Sequence, residues 1–412
     1  MCLLEGAETM NRHLVKRGVP ACLLIATCCV LSACNGTAPH AAAAPPIPNT
    51  TRAMAFGPRP DHSGRLGVVL TSQDGGQIFG FDIGQDNGAG ILSTANHVEA
   101  FDQQTGAITQ SFPKVTPART TYALDGIFPS DIALVTRYVE PKGSIFANRY
   151  YDVVSPFTAG GFTGKWTPPI FDIDIQQGAK VLNSTTSVLF AIQLKSNDRP
   201  VLVATDIGAN SIAKVVHLSP NTFGGGDGPQ LASYTFQGKA VFALSPDGGA
   251  VGGAAPINIL VDYTTGAAKQ FTGFNFGPFG AGYVNGMAVD PNTGIEATTT
   301  ELNAQVEFYN LVTRAGIAAV QLPCTGNADQ SNSGAGIAVD PVHRLFLVTD
   351  PAYACDGSRD GAIVVYNEKG TLVETIPGFK FAIAEPAPAL DPAKRLGWDF
   401  GPQFSQLQQF FY

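Results

Sequence analysis

From about residue 60 onward, short apolar runs alternate with turns rich in Gly, Asp and Asn. Runs of this length, carrying Thr and β-branched residues, predict strands rather than exposed amphipathic helices. The runs also recur. Residues 285–323 and 335–377 follow one pattern, each with the string Ala-Val-Asp-Pro near its start, and Asp290 and Asp340 stand 50 positions apart. A third copy, Ala389-Leu390-Asp391-Pro392, follows 51 positions after Asp340, and Leu244-Ser245-Pro246-Asp247-Gly248 lies one unit earlier. After each string come an apolar run, a loop, a second run, a turn bearing Gly, and a third run.

A four-stranded unit repeated in this way predicts an all-β fold, a single β-propeller in which each unit is one blade. Second strands are expected near 66–72, 131–138, 201–206, 249–253, 295–300, 345–350 and 395–400, which makes seven blades. Six is the alternative, because 77–125 divides in more than one way. The second strands share an ending: Leu70-Thr71-Ser72, Val135-Thr136-Arg137, Ala204-Thr205-Asp206, Thr299-Thr300-Glu301 and Val348-Thr349-Asp350. Hairpins are expected at Asp102–Gly106, Asp262–Gly266, Asn310–Gly316 and Asn367–Gly370, where Gly supplies a positive φ. The last unit runs only to a third strand at Ser405–Tyr412. A strand near Thr51–Phe56 is expected to complete it, pairing the N- and C-terminal segments and removing an open edge.

Leu347-Val348-Thr349-Asp350, Ala362-Ile363-Val364-Val365-Tyr366-Asn367 and Val373-Glu374-Thr375-Ile376-Pro377 resemble the YVTN and NHL type of β-propeller repeat. The resemblance spans about 60–412 as architecture, with its strings sharpest from about 195 onward. It implies a fold and leaves adhesin, scaffold, binding protein and enzyme open. Enzymes of the gluconolactonase type on this fold hold a divalent ion through Glu, Asn and Asp at the channel mouth. Tyr283-Val284-Asn285-Gly286 resembles their Asn-Gly element, and the resemblance supplies no matching Glu or second Asn or Asp.

Residues Met10–Val19 carry Arg12, His13, Lys16 and Arg17 without an acid, and an apolar stretch from Gly18 to Ala33 follows. It is short for a membrane span and suits a secretory signal. Its ending, Leu31-Ser32-Ala33-Cys34, resembles the bacterial lipobox. That resemblance implies cleavage before Cys34, lipidation and acylation there, and a stable membrane anchor. The expected organisation is a lipoprotein signal peptide over 1–33, a lipidated Pro/Ala-rich tether over 34–60 and the propeller over 61–412. The location implied is the cell envelope, and the outer membrane in a Gram-negative cell.

Composition narrows the chemistry. A net charge of −8 with no basic stripe argues against a nucleic-acid partner. Among His40, His62, His97, His217 and His343 none has a partner at metal-ligand spacing, and no zinc-binding or nucleophile-elbow motif is present. Cys324 falls in the loop entering the sixth unit and Cys355 between its second and third strands, loops that share one face. A disulfide is therefore expected, contributing about 2–4 kcal/mol. Ser72, Arg137, Asp206, Asn285, Glu301 and Asp350 are expected around one rim, where the acids invite a cationic ligand or Ca²⁺, although polar residues also end strands simply because they meet water. No cofactor is otherwise implied. The Asp356–Gly361 loop reads as a Gly-rich turn, and the Phe-rich Phe271–Gly280 as a pocket lining or an inter-blade contact. The expected function is a non-enzymatic binding or scaffold protein for an envelope partner or small ligand; a metal-dependent lactonase-like hydrolase or lyase is the alternative.

Overall fold

The computed structural model describes residues 64–84, 88–94, 97–113, 284–300, 305–323, 336–351, 353–354, 360–381 and 387–412, together with the backbone of the strands between 120 and 272. Every regular element among them is a β-strand. Strand β1 is Arg65–Thr71. One sheet holds β2 (Ile78–Ile83), β3 (Ala89–Thr94), β4 (His97–Asp102) and β5 (Ile108–Pro113). The next holds β6 (Thr120–Phe128), β7 (Ile132–Val139), β8 (Ala147–Val154) and β9 (Ile170–Asp172). Then come β10 (Lys180–Asn183), β11 (Val188–Leu194), β12 (Pro200–Asp206) and β13 (Ser211–His217), followed by β14 (Gln230–Phe236), β15 (Lys239–Ser245), β16 (Ile257–Asp262) and β17 (Ala268–Thr272). The fifth holds β18 (Val284–Val289), β19 (Ile295–Thr300), β20 (Gln305–Asn310) and β21 (Ala315–Gln321). The sixth holds β22 (Ile337–Asp340), β23 (Leu345–Asp350), β24 (Asp360–Asn367) and β25 (Leu372–Lys380). Strands β26 (Ala389–Asp391), β27 (Leu396–Phe400) and β28 (Gln406–Phe411) form the last sheet, in the order β1-β28-β27-β26. The described residues thus form seven four-stranded antiparallel sheets.

Two expectations about phase are corrected. Residues 66–72 and 201–206 are not second strands: the first segment is β1, at the outer edge of the last sheet, and the second is β12, third in its own. The second strand of the fourth sheet is Lys239–Ser245, ahead of the expected 249–253. The same Thr-plus-polar ending closes an outer, a third and a second strand, so it does not report the strand's order within a sheet. The strand paired with β28 is Arg65–Thr71, and Thr51–Phe56 lies outside the described residues.

Alternation explains how the sheets stack. On β24, Ala362, Val364 and Tyr366 join one apolar cluster with Val306 and Phe308 of β20. Ile363 and Val365 join another with Phe410 and Tyr412. Successive side chains point to opposite faces, so the β22–β25 sheet is buried on both sides. A third cluster packs Leu396, Trp398 and Phe400 of β27 against Leu92 and Phe101 of the β2–β5 sheet. Edge-to-face rings mark these interfaces: Phe308–Phe346 at 5.6 Å, Phe101–Trp398 at 5.2 Å and Phe379–Phe410 at 5.7 Å. Each such pair adds about 0.5–1.5 kcal/mol beyond the area it buries. The first strands β2, β6, β10, β14, β18, β22 and β26 are neighbours in that order, and β26 again neighbours β2.

The β1–β28 ladder slips register between Leu66 and Val69. Glutamine side chains fill the irregularity. Gln408 Nε2 donates to the carbonyls of Gly67 (3.1 Å) and Val68 (3.3 Å), and Gln409 Oε1 accepts from the Val68 N–H (3.2 Å). Gln409 Nε2 reaches on to the Gln103 carbonyl (2.6 Å) in the neighbouring sheet. Gly67 makes room for this arrangement: a Cβ there would meet Gln409 Oε1, and the glutamine side chain would have to shift.

The repeated Asp-Pro string has a definite job. Asp340 Oδ1 accepts the N–H groups of Val342 and His343, both at 2.9 Å, and Asp290 Oδ1 accepts that of Asn292 at 2.7 Å. Asp102, Asn310 and Asn367 do the same in the hairpins between third and fourth strands. These side chains mimic a backbone turn. Each turn ends on a left-handed residue: Gly106 and Gly370, as expected, and Gly294; in the Asn310–Gly316 hairpin it is Arg314 (φ 62°) and not the expected Gly316, and Arg344 (φ 56°) and Arg395 (φ 50°) hold the same place in their turns. A non-glycine residue there costs roughly 1–2 kcal/mol.

The arginines should therefore respond differently to substitution. Arg344 is exposed, with one ion pair to Glu368 at 3.9 Å, and such a pair contributes little. Arg344→Gly should raise unfolding stability by about 1 kcal/mol. Arg395 is buried with its guanidinium 5.5 Å from the Tyr412 ring centroid, so Arg395→Gly should lower stability. Chemical denaturation of both variants checks the opposite signs.

Candidate functional site

In an antiparallel sheet, the turns joining first to second and third to fourth strands share one end. In this protein that end is closed by the tight Asp and Asn turns just described. The opposite end carries the second-to-third connections and the crossings between sheets. Loops of this kind are where binding groups concentrate. We call it the loop end.

The structure divides the expected site residues between the two ends. Ser72 follows β1 at the loop end, buried, its Oγ donating to the Gly76 carbonyl at 2.8 Å. Asp350 is the last residue of β23 at the same end of its sheet, and is fully buried. Asn285 falls at a register shift in β18 opposite Thr299 and Thr300, at the loop end of its sheet. Arg137 lies within β7, paired with Tyr122 and Tyr150, two residues short of the strand's end at Val139. Asp206 departs from the expected set. It ends a third strand and pairs with Val188, the first residue of β11, which puts it at the turn end of its sheet. Asp206 and Asp350 occupy opposite ends of their sheets, because an antiparallel third strand ends where the second begins. Cys34, Glu301, Cys324, Cys355, most of Asp356–Gly361 and all but the start of Phe271–Gly280 lie outside the described residues. The strands flanking the two cysteine loops, β21 to β22 and β23 to β24, meet those loops at the loop end.

A cluster absent from the sequence reading lies at the loop end of the β2–β5 sheet. Asp74, His97 and Glu99 offer donor atoms that all lie within 4.8 Å of one another. Asp74 comes from the crossing between β1 and β2, and His97 and Glu99 from the start of β4. His97 Nδ1 is 3.2 Å from Asp74 Oδ2, and Thr94 Oγ1 donates to that oxygen at 3.3 Å. Glu99 is fully buried, its two oxygens sharing the single N–H of Gln73 at 3.2 and 3.0 Å. Burial pushes the Glu99 carboxyl above its ordinary range; the Gln73 N–H opposes this and the Asp74 charge reinforces it. His-x-Glu in a strand puts both side chains on one face. That spacing was the available signal and corrects the expectation that His97 has no such partner, but the third group, Asp74, belongs to a crossing between sheets and no spacing rule reaches it.

The crossing is itself held in place. The Ser72 N–H donates to the Ser405 carbonyl (3.0 Å) and the Ile78 N–H to that of Phe404 (2.8 Å). This sets Phe404, whose side chain is exposed, beside the Asp74 crossing.

Deeper in the fold, Thr349 Oγ1 donates to Asp399 Oδ2 at 2.6 Å, linking the second strands of two neighbouring sheets. Asp399 is fully enclosed, and burial pushes its carboxyl up to about 7 against the opposing bonds from Thr349 and the Phe400 N–H. Glu307 on β20 is raised by burial to about 7 as well.

No protein-family model matches the chain, and no curated protein matches it. Among solved structures, a WD40-like propeller chain in a crystal structure of the mitotic checkpoint complex aligns over 88% of this chain and 99% of its own, with a TM-score of 0.54 at 14% identity. The fold is propeller-like. At that identity the likeness is one of architecture alone, and the 684 matching chains mark it as a widely used architecture.

Carboxyls raised by burial give full stability below the ordinary carboxylate range and lose it as pH climbs through the folded value. For Asp399 the loss should fall between about pH 4 and pH 7, on the order of 4 kcal/mol in all. Denaturation across that range should show stability declining with pH, and Asp399→Asn, which keeps the shape and removes the ionisation, should flatten the slope.

Proposed function

We propose that this chain is a lipid-anchored protein of the bacterial cell envelope whose single seven-bladed β-propeller, sealed by β1 against β28, is a non-enzymatic platform for another envelope protein. The reading of seven blades is supported by seven sheets with cyclically adjacent first strands and by the apolar cluster between the last sheet and the first. The YVTN/NHL-like strings agree with it. Anchoring at Cys34 rests on the lipobox-like sequence ahead of the propeller. A Cys324–Cys355 bridge is supported by the common loop end of their flanking strands.

The observation that carries the platform reading is the loop end itself. It presents an exposed aromatic, Phe404, beside the polar Asp74 and His97, and an apolar anchor with polar neighbours is the make-up of a protein contact. The mitotic checkpoint chain with the same architecture is a component of a protein assembly, a use this fold permits here too.

Two experiments test the reading. The full chain expressed in bacteria should fractionate with membranes and incorporate labelled palmitate, and Cys34→Ala should move it to the soluble fraction without label. A photo-crosslinking residue at position 404 should capture a discrete envelope protein in intact cells. The same residue at Val342, exposed at the turn end, should not. Equal capture from both positions, or sustained turnover of lactones by the purified protein, would overturn the platform reading.

A further inference from the structure

We propose that Asp74, His97 and Glu99 form a binding site for one divalent transition-metal ion of the Zn²⁺ class. The donor set is one imidazole and two carboxylates, which suits a borderline ion better than a hard one that takes six to eight oxygens. Asp74 Oδ2 and His97 Nδ1 stand 3.2 Å apart. Ligands about 2.0–2.1 Å from a tetrahedral ion are separated by about 3.3 Å. The pair therefore already has the spacing of two tetrahedral ligands, and an ion would take the place of the proton they share. The third donor, within 4.8 Å, needs a shift of about 1.5 Å, the scale of a rotamer adjustment.

A second observation points to a cation independently of this spacing. Glu99 is fully buried, yet its carboxylate has one N–H to serve two oxygens, and among the described residues no Lys or Arg pairs with it. A buried carboxylate can accept about four bonds, and burying it without a compensating charge is costly. A divalent ion at Asp74 and His97 supplies that charge. The polypeptide supplies the remaining setting: Thr94 Oγ1 donates to Asp74 Oδ2, as the outer partners of metal ligands do. The ion would tie the crossing after β1 to the start of β4, and so join two sheets.

His343 provides an internal control. Its Nδ1 lies 2.7 Å from Asp340 Oδ2, but the other group on that oxygen is the Tyr412 hydroxyl at 3.1 Å, and among the described residues no third metal-type donor joins the pair.

The test uses the full chain, stripped with chelator and titrated with Zn²⁺ by calorimetry and by competition with a chromophoric chelator. One ion per chain and a raised melting temperature are expected. His97→Ala and Glu99→Gln should each weaken binding at least tenfold, while His343→Ala leaves it unchanged. If either variant fails to fold by circular dichroism, Asp74→Asn, in an exposed crossing, replaces it with the same expectation. Absence of stoichiometric Zn²⁺ binding, binding indifferent to the substitutions at the site, equal loss in His343→Ala, or selective binding of Ca²⁺ over Zn²⁺ would each overturn the assignment. None of these outcomes depends on whether Phe404 contacts a partner.

Discussion

A sheet that is apolar on both faces cannot rest against one neighbour, and this constraint governs the rest of the structure. Strand β23 is buried at every residue from Leu345 to Asp350, and β24 at every residue from Gly361 to Tyr366. Neither face can be given to water, so this sheet needs a sheet on either side. Trp398 and Phe400 of the last sheet pack in the same way against Leu92 and Phe101 of the β2–β5 sheet. Those aromatics do for the last sheet what Phe308 and Phe346 do in the middle of the array.

The same requirement explains the small residues opposite the large ones. Gly90 pairs with Phe101 and Gly397 with Phe410, each across the second and third strands of its sheet. A Cβ at either glycine would overlap the partner's ring. The aromatic lies over its cross-strand neighbour, and the sheet gains a flat, filled surface on which the next can settle. Polar side chains meet the constraint differently: Asp290, Asp340 and Asp391 are fully buried, and in each Oδ1 accepts turn N–H groups, while Oδ2 meets His343 and Tyr412 in Asp340 and Lys394 in Asp391.

How much of this is legible in the sequence depends on how locally each feature is determined. The turns at Asp290, Asp340 and Asp391 are written in five consecutive residues, and the structure places them where the strings predict. The sheet's strand order is not local. Leu70-Thr71-Ser72, Ala204-Thr205-Asp206 and Val348-Thr349-Asp350 share one local pattern, yet they terminate outer, third and second strands respectively. That ambiguity shifted the phase of the early units and moved Asp206 to the wrong end of its sheet. The Asp74, His97 and Glu99 group escaped notice for a related reason. Its members are assembled by a crossing between sheets, whose position is fixed by backbone bonds to Phe404 and Ser405 more than 300 residues away along the chain.

The seam between β1 and β28 has a mechanical side. Any pull applied through the residues that precede Gly64 arrives first at β1, which has a hydrogen-bonded partner on one side only. The irregular stretch at Gly67 and Val68, with its ladder interrupted, would be a weak point under load if the backbone acted alone. Gln408 and Gln409 cross-brace it, and Gln409 also grips the Gln103 carbonyl in the adjoining sheet. A load arriving at Gly64 is thereby shared between two sheets through two amide side chains.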